Sequence, residues 1–295
     1  MTQTSILQTA FDYQHWDWKG HQIRYTVMGE GQPLILVHGF GAAIGHWRKN
    51  IPVLAEAGYR VFALDLLGFG QSDKPVMDYS LELWRDLLKD FCDAKVQQPA
   101  IFIGNSIGAL LSLMVMADYP AIANGGVLLN AAGGLNHRPE ELNLPLRLVM
   151  GAFTQLVGSD WLGSFVFNRI RQKPRIRATL KQVYRDPSAV TDELVEILYE
   201  PSCDPNAQKV FASILTAPPG PKPSEVLPLV HQPLLILWGD ADPWTPISGS
   251  TLYQALATQE ERVTFHAIPK AGHCPHDERP EEVNQLILNW LNQWF

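Results

Sequence analysis

The stretch Ala100-Ile101-Phe102-Ile103-Gly104-Asn105-Ser106-Ile107-Gly108 decides how the rest of the chain is read. Its first four residues are apolar without alternation, which predicts a strand buried on both faces, as in the interior of a parallel sheet. Residues 109–117 follow with helical periodicity. A G-x-S-x-G turn between such a strand and such a helix is a nucleophile elbow. The turn is so tight that the positions two before and two after the serine must be nearly without side chains, hence Gly104 and Gly108. It lifts the Ser106 hydroxyl clear of the sheet at a helix N-terminus, where the helix dipole favours developing negative charge. The competing reading, a chance glycine turn, does not account for that context.

Working outward, the same kind of apolar run recurs at 33–37, 60–64, 126–129, 234–238 and 262–268, with helical periodicity at 81–91, 252–257 and 283–290. Residues 13–28 read as two short strands around Lys19-Gly20, a hairpin turn. Strand and helix in alternation predict an α/β fold with a doubly wound, mostly parallel sheet flanked by helices. From 133 to 230 no buried-strand run occurs, several helix-like segments do, and Ala217-Pro218-Pro219-Gly220-Pro221-Lys222-Pro223 closes the interval as a linker. The chain therefore divides into a core, 11–132 with 231–295, and a helical insertion, 133–230. Its 295 residues suit this organisation.

A serine hydroxyl is a weak nucleophile and needs a base that is itself oriented by an acid. After a nucleophile elbow the acid comes next along the chain and the histidine last. Trp238-Gly239-Asp240-Ala241-Asp242 places two aspartates just past a late strand. Asp242 is taken as the acid, because Asp240 follows the strand so closely that it holds the turn. The earlier strand ends in Asn130, which is no acid. Gly272-His273-Cys274-Pro275-His276 follows the last strand, and His273 is taken as the base, with His276 bracing the loop and Cys274 filling space. Two donors for an oxyanion are the N–H groups of Ile107, after the nucleophile, and Phe40, in the loop His38-Gly39-Phe40-Gly41. His38 braces that loop.

Other chemistries find less support. Gly68-Phe69-Gly70-Gln71-Ser72 lacks the lysine and the full spacing of a phosphate cradle. No histidine or cysteine spacing suits a metal, so no cofactor is expected. Three cysteines in an odd set favour reduced thiols in an intracellular compartment. The N-terminus has neither a basic region nor a continuous apolar core, so it does not read as a secretion signal. Mean hydropathy is −0.05 and no long apolar run suggests a membrane span. A net charge of −7 argues against a nucleic-acid partner. That charge is uneven: residues 146–185 hold eight basic residues and one acid, so this interval is positive while the remainder is strongly negative.

In these motifs the chain, from Trp16 to Trp294, resembles the α/β-hydrolase superfamily. Gly272 to Glu281, Asp242-Pro243-Trp244-Thr245-Pro246, Leu180 to Tyr184 and Ala217 to Pro221 resemble more narrowly the plant pheophytinases and chlorophyll dephytylases and their cyanobacterial relatives. That resemblance implies an α/β-hydrolase fold with a helical cap, hydrolysis of the phytyl ester of chlorophyll-type pigments, and Ser106, Asp242 and His273 at the triad positions. Phe153, Trp161 and Phe165 of the cap, with Trp244 beside the acid, are the expected contacts to such an apolar ester. The aromatic residues of the cap and the basic cluster after them suggest peripheral contact with an anionic membrane surface, against the plainer reading of packing residues beside a solvated face. The setting implied is cytoplasmic, peripheral to a thylakoid-type membrane. Carbon–carbon bond hydrolases and cofactor-free haloperoxidases share a serine elbow and stay open, as does a non-catalytic small-molecule receptor.

Overall fold

A computed structural model describes residues 11–136, 138, 144, 151–152 and 159–295. Strands β1 (Tyr13–Trp18) and β2 (His21–Met28) form the hairpin, turning at Lys19 and Gly20. Both turn residues have positive φ, 53° and 83°, as a two-residue turn between right-twisted strands demands. The other strands are β3 (Pro33–Val37), β4 (Arg60–Leu64), β5 (Ala100–Asn105), β6 (Ala123–Leu129), β7 (Leu234–Gly239) and β8 (Val263–Ile268). The sheet order is β1-β2-β4-β3-β5-β6-β7-β8. Strand β2 runs antiparallel to β1 and β4, and every later pairing is parallel.

The helices in chain order are α1 (Ile51–Glu56), α2 (Leu81–Phe91), α3 (Ile107–Asp118), α4 (Asp160–Ile170), α5 (Lys173–Val183), α6 (Asp192–Tyr199), α7 (Ala207–Thr216), α8 (Pro223–Val226), α9 (Thr251–Gln259), α10 (Pro275–Glu278) and α11 (Pro280–Trp294). Two core layers explain the unbroken apolar strands. Leu34 and Leu36 of β3 pack with Ile51 and Leu54 of α1 and with Val283 and Ile287 of α11. Ile35 and Val37, pointing the other way, pack with Leu88 of α2 and Leu110 of α3. Successive side chains leave a strand on opposite faces, so both must be apolar when both are covered. Helix α3 is buried on every side from Ile107 to Met116, held between the sheet and α2.

Parallel strands bring the carboxyl ends of β3, β5, β6, β7 and β8 to one edge. The chain leaves that edge after β6 into α4–α7, with no strand between β6 and β7 among the described residues. This helical segment is tied down at two ends. At one, Leu135 N–H donates to Pro219 O at 2.8 Å, and the Asn136 amide donates to Ile214 O and Ala217 O, each at 2.8 Å. At the other, Tyr184 and Asp186 bond to the loop after β8, as detailed below. No helix among the described residues is long and apolar enough to cross a membrane.

Candidate active site

Ser106 joins β5 to α3 with φ 57° and ψ −120°, in the left-handed half of backbone space that a side-chain-bearing residue occupies at a cost of about 1–3 kcal/mol. Close packing keeps it there. A Cβ on Gly104 would stand 2.2 Å from Gly108 O, and one on Gly108 would stand 2.2 Å from Val37 O. Ser106 N–H donates to Leu129 O at 3.0 Å, which pins the turn to β6. Ile107 opens α3, so its N–H belongs to the first turn, where amides lack intrahelical acceptors.

The loop after β3 lies beside this turn: a Cβ on Gly39 would come within 3.2 Å of Ser106 Cβ. Buried His38 holds the loop. Its Nε2 accepts from Leu66 N–H at 3.0 Å, which leaves Nδ1 as the donor to Gly39 O at 2.8 Å. Burial lowers its pKa and favours this neutral form, despite the pull of Asp65. Phe40 packs its ring against Phe69 and Phe211.

Past β7, Asp242 is surrounded by donors. Its Oδ1 accepts from Trp244 N–H at 2.7 Å and Thr245 N–H at 3.0 Å. Its Oδ2 faces His273 Nδ1 at 2.6 Å, the Asn130 amide at 2.7 Å, and the Thr245 hydroxyl. Burial alone would raise the carboxyl's pKa, but the hydrogen bonds from His273 and Thr245 outweigh it and hold the pKa below its usual value. Asp240 instead accepts from Lys270 N–H at 2.8 Å and ties β7's turn to the loop after β8.

His273 is fixed at both ends of its own peptide. Its N–H donates to Val183 O of α5 at 3.0 Å, and its carbonyl accepts from the Asn105 amide at 3.0 Å. His276 lies fully buried with its ring 4.2 Å from that of Trp47, far from a titrating role, since burial drives its pKa well down. Beneath the site, His46 donates to Tyr184 Oη at 2.7 Å and Tyr184 donates to Asp277 at 2.8 Å. Asp277 in turn meets Arg48 and Lys49 at 3.0 and 3.1 Å. Glu278 bonds Asp186 N–H and Gly272 N–H at 2.7 and 2.8 Å, so the end of α5 and the histidine loop are one hydrogen-bonded unit.

A cavity of about 280 Å³ opens where these parts meet, lined by Phe40, Ser106 and His273 on the sheet side and mainly by apolar side chains of α4–α7 on the other. Trp244, half exposed, stands at its wall with its ring 5.5 Å from that of His273. Among the described residues Lys74 and Arg171 bring positive charge to that wall; Lys74 is buried and donates to Gly70 O at 2.7 Å and Ser72 O at 3.2 Å. The Gly68–Ser72 turn is wrapped around the Asp65 carboxylate, which accepts from Gln71 N–H at 2.9 Å. An anion already fills the place a phosphate would take.

The structure thus brings Ser106, Phe40, Ile107, His273, Asp242 and Trp244 to one edge of the sheet, and corrects two of the expected substrate contacts. Trp161 and Phe165 lie on the outer face of α4 and do not line the cavity; Phe167 and Ile170 of the same helix do. At about 100° per residue, positions 161 and 165 share a face that 167 opposes. Phe153 lies outside the described residues. Sequence reasoning missed Asn105 and Asn130, whose type carries no spacing signal and whose partners are distant in the chain, and Thr245, which meets both its near neighbour Asp242 and the distant His273.

Comparison with known proteins places the chain. The profile of the alpha/beta hydrolase family matches residues 34–286. The chain is 29% identical to chloroplastic pheophytinase of Arabidopsis thaliana over 97% of its own length and 67% of that protein's. It is 27% identical to 2-hydroxy-6-oxo-6-(2'-aminophenyl)hexa-2,4-dienoic acid hydrolase of Metapseudomonas resinovorans, covering 93% and 89%. The structure matches a serine hydrolase involved in carbazole degradation, the CarC enzyme, with a TM-score of 0.76 at 25% identity, covering 96% of this chain and 99% of that one. The elbow, the cavity over the sheet edge and the profile match together make this chain a member of the alpha/beta hydrolase family.

Proposed function

We propose that this hydrolase is a serine-dependent carboxylic ester hydrolase acting on a bulky apolar ester, the phytyl ester of a chlorophyll-type pigment being the best fit. The observation that carries the reading is the 2.6 Å pairing of His273 with the buried Asp242 on the same cavity as the strained Ser106. In this reading residues 11–132 and 231–295 are the catalytic core, and 133–230 are the cap.

His273 Nε2 takes the proton as Ser106 Oγ adds to the ester carbonyl carbon, and Asp242 stabilises the imidazolium. The Phe40 and Ile107 amides hold the oxyanion. Collapse breaks the bond to the alcohol oxygen, which leaves with the proton from His273. A water, deprotonated by the same histidine, then adds to the acyl-serine and releases the carboxylate and Ser106. The apolar wall built by Phe167, Leu180, Val210 and Phe211 suits a long hydrocarbon group. The alcohol of a phytyl ester is such a group, and the dephytylase likeness of the histidine loop agrees with it. A cytoplasmic setting beside a thylakoid-type membrane goes with this substrate.

The test is the purified protein with pheophytin, chlorophyll and a panel of p-nitrophenyl esters. Ser106→Ala is expected to lower kcat by on the order of 10⁴-fold or more on every ester it cleaves. Undiminished turnover in that variant removes the assignment.

A second reading, carbon–carbon bond hydrolysis, draws on Lys74 and Arg171, which give the cavity the charge that a carboxylate-bearing dienoate requires. A preference for such dienoates over neutral esters by kcat/KM would favour it.

A further inference from the structure

Helix α4 is amphipathic in an inverted sense. Trp161, Leu162 and Phe165 are exposed on its outer face, Trp161 by 79% and Phe165 by 62%, with Arg169 one turn on. At about 100° per residue these four positions fall on one continuous arc. Its inner face is supplied by Gly163 and Phe167, both buried. A surface helix ordinarily turns its large apolar side chains inward, so an outward aromatic stripe calls for a partner.

The charge around the stripe selects that partner. Lys173 and Arg177 of α5 are neutralised by Glu196 and Asp192. Arg169, Arg175 and Lys181 are exposed and make no ion pair among the described residues, although the protein as a whole is acidic. Arg169 sets a free cation on the same arc as the exposed Trp, Leu and Phe, and Arg175 and Lys181 add exposed positive charge on the next helix. Such a surface complements an anionic lipid surface, the rings entering the interface and the cations meeting headgroups.

The same helix also walls the cavity. Phe167 and Ile170 line it, and Ile170 is also partly open to solvent. We propose that the outer face of α4, with the exposed cations of α5, docks this protein on an anionic bilayer and sets the cavity beside the lipid, so that an amphiphilic ester passes from the membrane along α4 to Ser106. The passage rests on the ester-hydrolase reading; the docking does not.

The experiment is co-sedimentation of the full chain with vesicles of phosphatidylcholine alone and of phosphatidylcholine with phosphatidylglycerol, at low salt and at half-molar salt. Binding is expected only with the anionic vesicles, weakening at least tenfold in high salt. The triple variant R169E/R175E/K181E is expected to bind at least about 100-fold more weakly, since each cation near the surface is worth about 1 kcal/mol and reversal adds repulsion. Its turnover of p-nitrophenyl butyrate in vesicle-free buffer should be unchanged. W161S/F165S should also lose binding while keeping its Tm.

Three results would overturn the docking. One is no sedimentation with anionic vesicles at low salt. Another is sedimentation that neither variant alters. The third is self-association, abolished by W161S/F165S, that vesicles do not compete away, which would make a second copy of the chain the occupant. Ser106→Ala separates the two readings. Full vesicle binding with undiminished ester turnover in that variant would discard the catalytic assignment and leave the docking standing. Lost binding with serine-dependent turnover intact would do the reverse.

Discussion

Asn130 follows β6 with φ 44°, and its amide joins two things the sequence keeps far apart. Its nitrogen donates to Asp242 and its oxygen accepts from Gly239 N–H at 2.9 Å. With no acid at this position, the sequence marks the place as vacant, yet the residue there orients the acid of the next strand. Asn130→Ala removes one donor from Asp242 and leaves the Gly239 amide unpaired in the core, a cost of about 1–3 kcal/mol. On the ester-hydrolase reading kcat should fall about tenfold with KM little changed, since His273 is less firmly oriented and no substrate contact is lost. A change in KM alone would show that Asn130 acts on binding instead. Thr245, which meets both Asp242 and His273, has the same kind of role.

At the level of elements, the elbow is legible because its constraint is local. The glycines of G-x-S-x-G are demanded by backbone atoms a few residues away or on the adjoining strand. Gly108→Ala sets a methyl against Val37 O and His38 O, backbone that has nowhere to retreat. A loss of at least about 2 kcal/mol in urea unfolding is expected; a variant as stable as the parent would contradict the packing described. Strand β6 shows the opposite case. The apolar run predicts a start at Gly126, since Ala123-Asn124-Gly125-Gly126 has little β-propensity, yet the strand starts at Ala123. The glycines are there for close approach: Met116 crowds Gly126, while Trp290 and Phe295 crowd Gly125. Likewise α11 runs from Pro280 to Trp294, beyond the 283–290 periodicity, since Pro fits the first turn of a helix.

For the molecule as a whole, three buried histidines, His38, His46 and His276, stay neutral in the folded state. Burial lowers the pKa of each, His46 to about 4. Unfolded imidazoles bind protons near pH 6.5, so between pH 6.5 and 4 the unfolded chain holds more protons and stability falls as pH falls. His46, neutral in the folded state down to about pH 4, contributes up to about 1.4 kcal/mol per pH unit near pH 5, and His38 and His276 act in the same direction, so the slope there should exceed about 1 kcal/mol per unit. The lowered pKa values of Asp242 and Asp277 act below this window, their stabilisation being lost only as pH falls through their folded values, under 3.8. Urea unfolding from pH 7 to 5 checks this, and a flat profile would refute it. His46 lies between core and helical segment through Tyr184 and Asp277, so acid should loosen the end of α5 early.

By itself the sequence determined the layered α/β architecture, the hairpin at Lys19-Gly20, the elbow at Ser106 and the helical interval after β6. Each rests on periodicity, propensity or steric limits acting within a few residues. Only the tertiary structure decided which face of α4 meets the cavity, that Val183 and Asn105 grip the peptide of His273, that Asn130 serves Asp242, and that Thr245 meets His273. Those are contacts between residues tens to more than a hundred positions apart. Their geometry follows from how helices settle on the sheet edge, which no local pattern encodes.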